Sequence, residues 1–176
     1  MEKNMSFRKE SRMKIFAIDP GNEFSAYCIM DDEYKLDSFA KLSNRELMEV
    51  LLSRLNDVDL VVIERMQSYG MPVGKETFEA CEWIGRYAQE AEKKVPVEYI
   101  FRQEEKLWIC HDTRAKDTNI RLALIERFAQ HDFKNGKGTK KNPDIFYGVS
   151  KDVWSSIAIA VSKHDMIKNK GEKKNV

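Results

Sequence analysis

Cysteine, histidine and proline are scarce in this chain, at three, three and four of 176 residues. Cys28, Cys81 and Cys110 are odd in number, widely spaced and set in apolar surroundings, which excludes a disulfide framework and points to reduced thiols in an intracellular protein. Cys110-His111 lacks the second ligand pair that a zinc site requires, so His111 and His164 are expected to be bystanders. No apolar run reaches the ~20 residues that cross a bilayer. Met1–Arg12, MEKNMSFRKESR, has no apolar centre of a secretion signal. A soluble chain with no membrane partner is the expectation. No internal repeat appears, and the length suits one domain with a real core rather than two large lobes.

Net charge is scarce too, at +1, so composition as a whole carries no nucleic-acid footprint. The average hides a gradient. Residues 1–92 hold 12 Lys/Arg against 18 Asp/Glu, whereas residues 93–176 hold 18 against 11. The second half has the sign to meet phosphate, although a solvated surface would look the same.

Patterning supplies the elements. KIFAID (14–19) is an apolar run ending in Asp-Pro-Gly, followed at hairpin spacing by SAYCIMD (25–31) and YKLDSFAK (34–41). Ser43 and Glu46 form a capping-box pattern ahead of a helix through Leu47, Val50, Leu51 and Leu55. LVVIE (60–64) reads as a buried strand, and 75–93 as a helix whose apolar positions run through Phe78, Cys81, Ile84, Gly85 and Ala88. A fifth strand, VEYIF (97–101), leads through a short segment at 104–110 to a helix through Ile120, Leu124 and Phe128. The stretch 134–144, KNGKGTKKNPD, has the composition of a mobile loop, and a last helix spans about 150–166. The expected organisation is a disordered extension at 1–12, one domain at 13–166 and a disordered basic tail at 167–176. The element order is βββ-α-β-α-β-α-α.

Three acids stand at element ends: Asp19 closing the first strand, Glu64 closing the fourth, and Asp152 opening the last helix. Singly they read as a turn residue, a surface charge and an N-cap. Functional groups in open α/β sheets gather at strand ends, so the three can converge. Converging acids repel one another unless a cation neutralises them, and hard divalent ions prefer oxygen ligands. Two such ions ~4 Å apart would suit phosphodiester hydrolysis without any histidine.

The ordered set I-D-P-G (18–21), V-I-E (62–64) and K-D-V-W-S-S-I-A-I-A-V (151–161) resembles the RuvC family of Holliday junction resolvases. Y-G-M-P-V-G-K (69–75), W-I-G-R (83–86), T-R-A-K-D-T-N-I-R (113–121) and G-T-K-K-N-P (138–143) look like its phage branch. The resemblance covers nearly all of 13–165. It implies an α/β RNase H-like fold, with a mixed five-stranded sheet of three antiparallel-connected strands and two further strands, flanked by helices. It further implies a homodimer, Mg²⁺ or Mn²⁺ with two ions per site, and cleavage of four-way or branched DNA in recombination and repair, in the cytoplasm of a bacterial or phage-infected cell. Asp19, Glu64 and Asp152 match the family's first three acidic positions, as metal ligands and catalytic residues. A fourth acid, common in cellular members, is replaced by Ser155, whose hydroxyl is a poor metal ligand. Asp165, more than three helical turns beyond Asp152 and about 20 Å away by helical rise, cannot replace it.

Lys106 matches a lysine that the family places near the scissile phosphate, and Lys116 falls one place off a second. Arg114, Lys116, Arg121, Lys137, Lys140 and Lys141 would follow the DNA backbone, and Tyr69 and Met71 would lie near the junction centre, with simple packing as their alternative role. The helix at 75–93, with Phe78 and Trp83, is a candidate dimer face, with core packing as the alternative use. Two other readings stay open: a junction-binding protein without cleavage activity, and an RNase H-like nuclease that processes structured RNA. An actin-like phosphotransferase is excluded by the absent second lobe and adenosine motif, so no nucleotide cofactor is expected.

Overall fold

A computed structural model describes residues 12–172; the expected extension, apart from Arg12, and the last four residues of the expected tail lie outside the described residues. Five strands form one sheet: β1 (Lys14–Asp19), β2 (Phe24–Asp31), β3 (Leu36–Ser43), β4 (Leu60–Arg65) and β5 (Val97–Phe101). Their spatial order is β3-β2-β1-β4-β5. β1 pairs antiparallel with β2, and β2 with β3, while β4 runs parallel to both β1 and β5. The mixed five-stranded sheet that the resemblance implies is therefore present, and its first three strands are the ones the hairpin spacing suggests.

Strand alternation divides the core between two faces. Ile15 and Ala17 of β1, Leu60 and Val62 of β4 and Ile100 of β5 face one way, onto α4 (Asp117–Phe128) and α5 (Val153–Glu172). Phe16, Ile18, Val61 and Ile63 face the other, onto α1 (Asn44–Arg54) and α2 (Lys75–Ala91). The same alternation decides where the strand-end acids point. Asp19 continues the 15, 17 series and Glu64 the 60, 62 series, so both belong to the face that α5 covers. The β1–β4 register ends at Ile18↔Ile63, and its next step sets Asp19 beside Glu64.

The capping box at Ser43 is present: the Glu46 amide donates to Ser43 Oγ at 3.4 Å, and the Ser43 amide to Glu46 Oε2 at 3.0 Å. Four expectations need correction. The segment at 104–110 is part of a helix, α3 (Arg102–Cys110), begun where the Phe101 amide donates to Glu104 Oε2 at 2.7 Å, so the order ends in three helices. In α2 the inward positions are Ala80, Ile84, Tyr87, Ala88 and Ala91, whereas Phe78, Cys81 and Gly85 are exposed; small residues on both faces blur the helical stripe. The core-packing alternative therefore fails for Phe78. Helix α5 continues past 166 to Glu172, because Met166 and Ile167 still pack against the core and Lys168 lies 4.0 Å over the Tyr34 ring.

The fourth correction concerns 134–144, which is tied down rather than loose. Asp144, with its side chain fully enclosed, accepts backbone N–H groups from Gln130, His131, Asp132 and Ile145 at 2.7–3.1 Å. Asp132 Oδ2 in turn accepts from Lys137 and Gly138. Gly138 adopts φ +64, and a Cβ there would strike Asn142 and Asp144 backbone atoms, so glycine is required by the turn's geometry and not by any need for motion.

Candidate active site

The Asp-Pro-Gly turn is locked from behind. Asn44 Nδ2 donates to the carbonyls of Gly21 and Asn22 at 2.9 and 3.0 Å, the Gly21 amide donates to Ser25 Oγ at 3.1 Å, and Tyr87 Oη donates to Asn44 Oδ1 at 3.1 Å. A Cβ on Gly21 would collide with the Phe24 carbonyl oxygen. Residues from β2, α1 and α2 thus fix the chain that leaves Asp19, which limits the directions its carboxylate can take.

Asp19 and Glu64 are side by side, as the register requires. Burial, opposed in part by the Arg102 guanidinium and by the Ser155 hydroxyl, and reinforced by Asp152, pushes the Asp19 carboxyl up to about 6. Burial and then the charge of Asp19 push Glu64 up to about 7. Both carboxyls are thus shifted toward neutrality, chiefly by burial and then, for Glu64, by the like charge of its neighbour. Asp152, just ahead of α5, acts on Asp19 through its charge but is half exposed and paired with Lys41 Nζ from β3 at 3.0 Å. Ser155, one helical turn further on, faces Asp19.

Two groups that composition did not flag complete the site. Arg102, the first residue of α3, is 2.8 Å from Glu105 Oε2 and 2.5 Å from Asp117 Oδ1, and 4.0 Å from Glu64 Oε2. Glu105 is fully buried, its pKa is raised well above the ordinary value by burial and then by Glu64, and its Oε1 has no hydrogen-bond partner. A signal for both existed in the strand-end rule applied to β5: Glu64 pairs with Ile100, so the chain just past Phe101 must pass beside the acids.

Among the described residues no three acidic, imidazole or thiol side chains stand close enough to hold a metal ion as placed. Asp152 is instead paired with Lys41, and Arg102 stands 4.0 Å from Glu64. The donor set nonetheless fits a divalent ion such as Mg²⁺: it is all oxygen, the Asp19 and Glu64 carboxyls are pushed up by burial and by crowding with other acids, and the enclosed Glu105 oxygen is orphaned.

Beside the acids a cleft of about 210 Å³ opens between α4 and α5, lined by Arg102, Asp117, Arg121, Lys151, Asp152 and Ser155. Arg121 reaches it across the Trp154 ring, 5.3 Å from the centroid. Lys151 joins this wall and was not anticipated. Lys106 lies next to Glu105 on α3, about 100° round the helix from it, and is partly exposed. Arg114, Lys116, Lys140 and Lys141 are exposed and Lys137 is half-buried. Tyr69 and Met71 project from the loop after β4, 56% and 73% exposed, which rules out core packing for them. Cys28, Cys81 and Cys110 are free thiols, although Cys81 is exposed rather than in apolar surroundings. His164 is buried with Nε2 3.1 Å from the Met30 carbonyl, and Asp165 pairs with Arg127 and Tyr34, so both serve packing away from the acids.

The sheet order and flanking helices define an RNase H-like α/β fold. No family model and no curated protein sequence matches the chain. Among solved structures it is similar to RuvC of Thermus thermophilus, with a TM-score of 0.59, 17% identity and coverage of 90% of this chain and 97% of that one. It is also similar to T. thermophilus RuvC in complex with a Holliday junction substrate, at a TM-score of 0.61 and 15% identity, covering 85% and 92%. At these identities the likeness establishes a RuvC-like fold. No helix among the described residues is long and apolar enough to cross a membrane.

Proposed function

We propose that this chain is a divalent-metal-dependent endonuclease that cleaves phosphodiesters in four-way or otherwise branched DNA. The observation that carries the reading is the pairing of Asp19 and Glu64 at adjacent ends of parallel strands, facing the start of α5 in a RuvC-like fold. Asp19, Glu64 and Asp152 would hold Mg²⁺ or Mn²⁺, two ions in the full site, with Asp152 released from Lys41. When bound, the metal supplies the Lewis acidity that water attack and departure of the 3′ oxygen need.

The residues of the chain do the rest. Arg102, Arg121 and Lys151 line the cleft beside the acids, where a backbone phosphate would meet them, and their donors would stabilise charge developing on it. Lys106 would approach the same phosphate from α3. Arg114, Lys116, Lys137, Lys140 and Lys141 would hold the flanking backbone without reading sequence. Tyr69 and Met71, exposed beyond Glu64, have the apolar surface to wedge against unstacked bases at a branch point. A homodimer matches the two-fold symmetry of a four-way junction and its two paired cuts. The stretches quoted above support a reading within the phage branch, with action in the cytoplasm on recombination or repair intermediates.

A competition between substrates tests this reading. With Mg²⁺ the chain should nick a synthetic four-way junction and spare linear duplex and structured RNA. Cleavage of the RNA in preference to the junction would move the assignment to RNA processing.

A further inference from the structure

We propose that Glu105 is a further carboxylate ligand of the metal centre, supplying the acid that Ser155 does not, and that Arg102 holds its place until a divalent ion arrives. This rests on the nuclease reading above.

Glu105 is in the wrong place for a surface acid and in the wrong state for a structural one. It is fully buried on the inner side of α3, where an apolar residue would pack without penalty. Oε2 accepts from Arg102 Nη1 at 2.8 Å, but Oε1, equally enclosed, accepts from nothing. An enclosed, half-satisfied carboxylate costs stability that packing alone does not return.

The same Nη1 lies 4.0 Å from Glu64 Oε2, so one positively charged nitrogen serves both carboxylates. A cation position between Glu64 and Glu105 therefore already exists, filled by the protein's own side chain. Its walls are oxygen donors from two parallel-strand ends, one carried by β4 and one by the helix that follows β5. That is the donor type a hard divalent ion selects.

Arg102 has somewhere to go. Its second nitrogen is bound by Asp117, whose side chain is 81% exposed, and its guanidinium forms part of the cleft wall. Swung outward on that anchor, it would offer a planar, two-pronged donor to a DNA phosphate. Metal entry would then leave a cation facing the DNA path.

The experiment is Mn²⁺ titration of the full, DNA-free chain by calorimetry, with thermal unfolding in parallel, for wild type, Glu105→Gln, Arg102→Gln and Asp19→Asn. Glu105→Gln should weaken Mn²⁺ binding about tenfold or more, or remove one bound ion. It should unfold no earlier than wild type without metal, yet gain less from Mn²⁺. Arg102→Gln, which removes the competing cation, should bind Mn²⁺ more tightly than wild type. Glu105→Gln binding within about twofold of wild type, with equal stoichiometry, overturns the inference and leaves Glu105 as an anchor for Arg102. Weaker binding by Arg102→Gln overturns it independently, should Glu105→Gln fold poorly. Asp19→Asn separates the two levels of argument: it should lose Mn²⁺ binding whatever Glu105 does, and wild-type-like binding in that variant refutes the nuclease centre itself.

Discussion

Asp144 and Glu105 both have side chains fully closed off from solvent, and the chain handles them in opposite ways. Asp144 accepts backbone N–H groups from Gln130, His131, Asp132 and Ile145, and these outweigh burial, holding its carboxyl well below the ordinary range. Glu105 has one guanidinium partner and one orphaned oxygen, and burial drives its proton affinity up. The first is an acid used to build a loop. The second, like Asp19 and Glu64 beside it, is held under electrostatic tension, which structural satisfaction would have removed. The contrast separates an acid that builds the framework from acids that the framework leaves unsatisfied.

The largest effect expected from breaking the site side is on chemistry. Asp19→Asn and Glu64→Gln should each lower junction cleavage by at least about a hundredfold, while junction binding measured by gel shift stays equal or tightens as negative charge is removed. On the framework side, Asp144→Ala leaves four backbone N–H groups without their acceptor and should cost about 3–5 kcal/mol in urea unfolding.

Acidity sharpens the comparison through opposite signs. Asp19 and Glu64, raised to about 6 and about 7, bind protons more tightly folded than unfolded, so their contribution is present below pH 4 and is lost as pH rises through those values. Asp144, held low, stabilises above its unfolded pKa and loses that contribution as pH falls. Metal-free protein should therefore be most stable near about pH 4 and lose on the order of 5 kcal/mol toward pH 8. Chemical unfolding across pH checks this: Glu64→Gln should flatten the alkaline fall and Asp144→Ala the acid one. The smallest effect belongs to the exposed loop. Tyr69→Ala with Met71→Ala should shift stability by under about 0.5 kcal/mol yet reduce junction opening, read with a fluorescent base analogue at the branch point.

Much of the fold was legible because strand alternation and hairpin spacing are local. Once β1 and β4 are recognised as buried strands, parity alone sends Asp19 and Glu64 to one face, and the Ser43–Glu46 capping box is visible as a four-residue pattern. Arg102 and Glu105 were not legible for the opposite reason. Glu104-Glu105 in a charged stretch looks like helix surface, and only the parallel pairing of β5 with β4 brings that stretch against Glu64. The loop at 134–144 misled in the same way: glycine and lysine suggest mobility, whereas the bonds to Asp144 join residues twelve or more positions apart, which composition does not record. The outward turn of Cys81 and Gly85 was lost because small residues satisfy either face of a helix.

The central claim is that the crowded carboxylates form a cutting centre rather than a binding surface. Incubating wild-type chain with an end-labelled synthetic four-way junction, with and without Mg²⁺ or Mn²⁺, tests it most directly. Paired nicks in opposing strands that require the ion are the expected result; a stable junction complex left uncut at every metal concentration would contradict it.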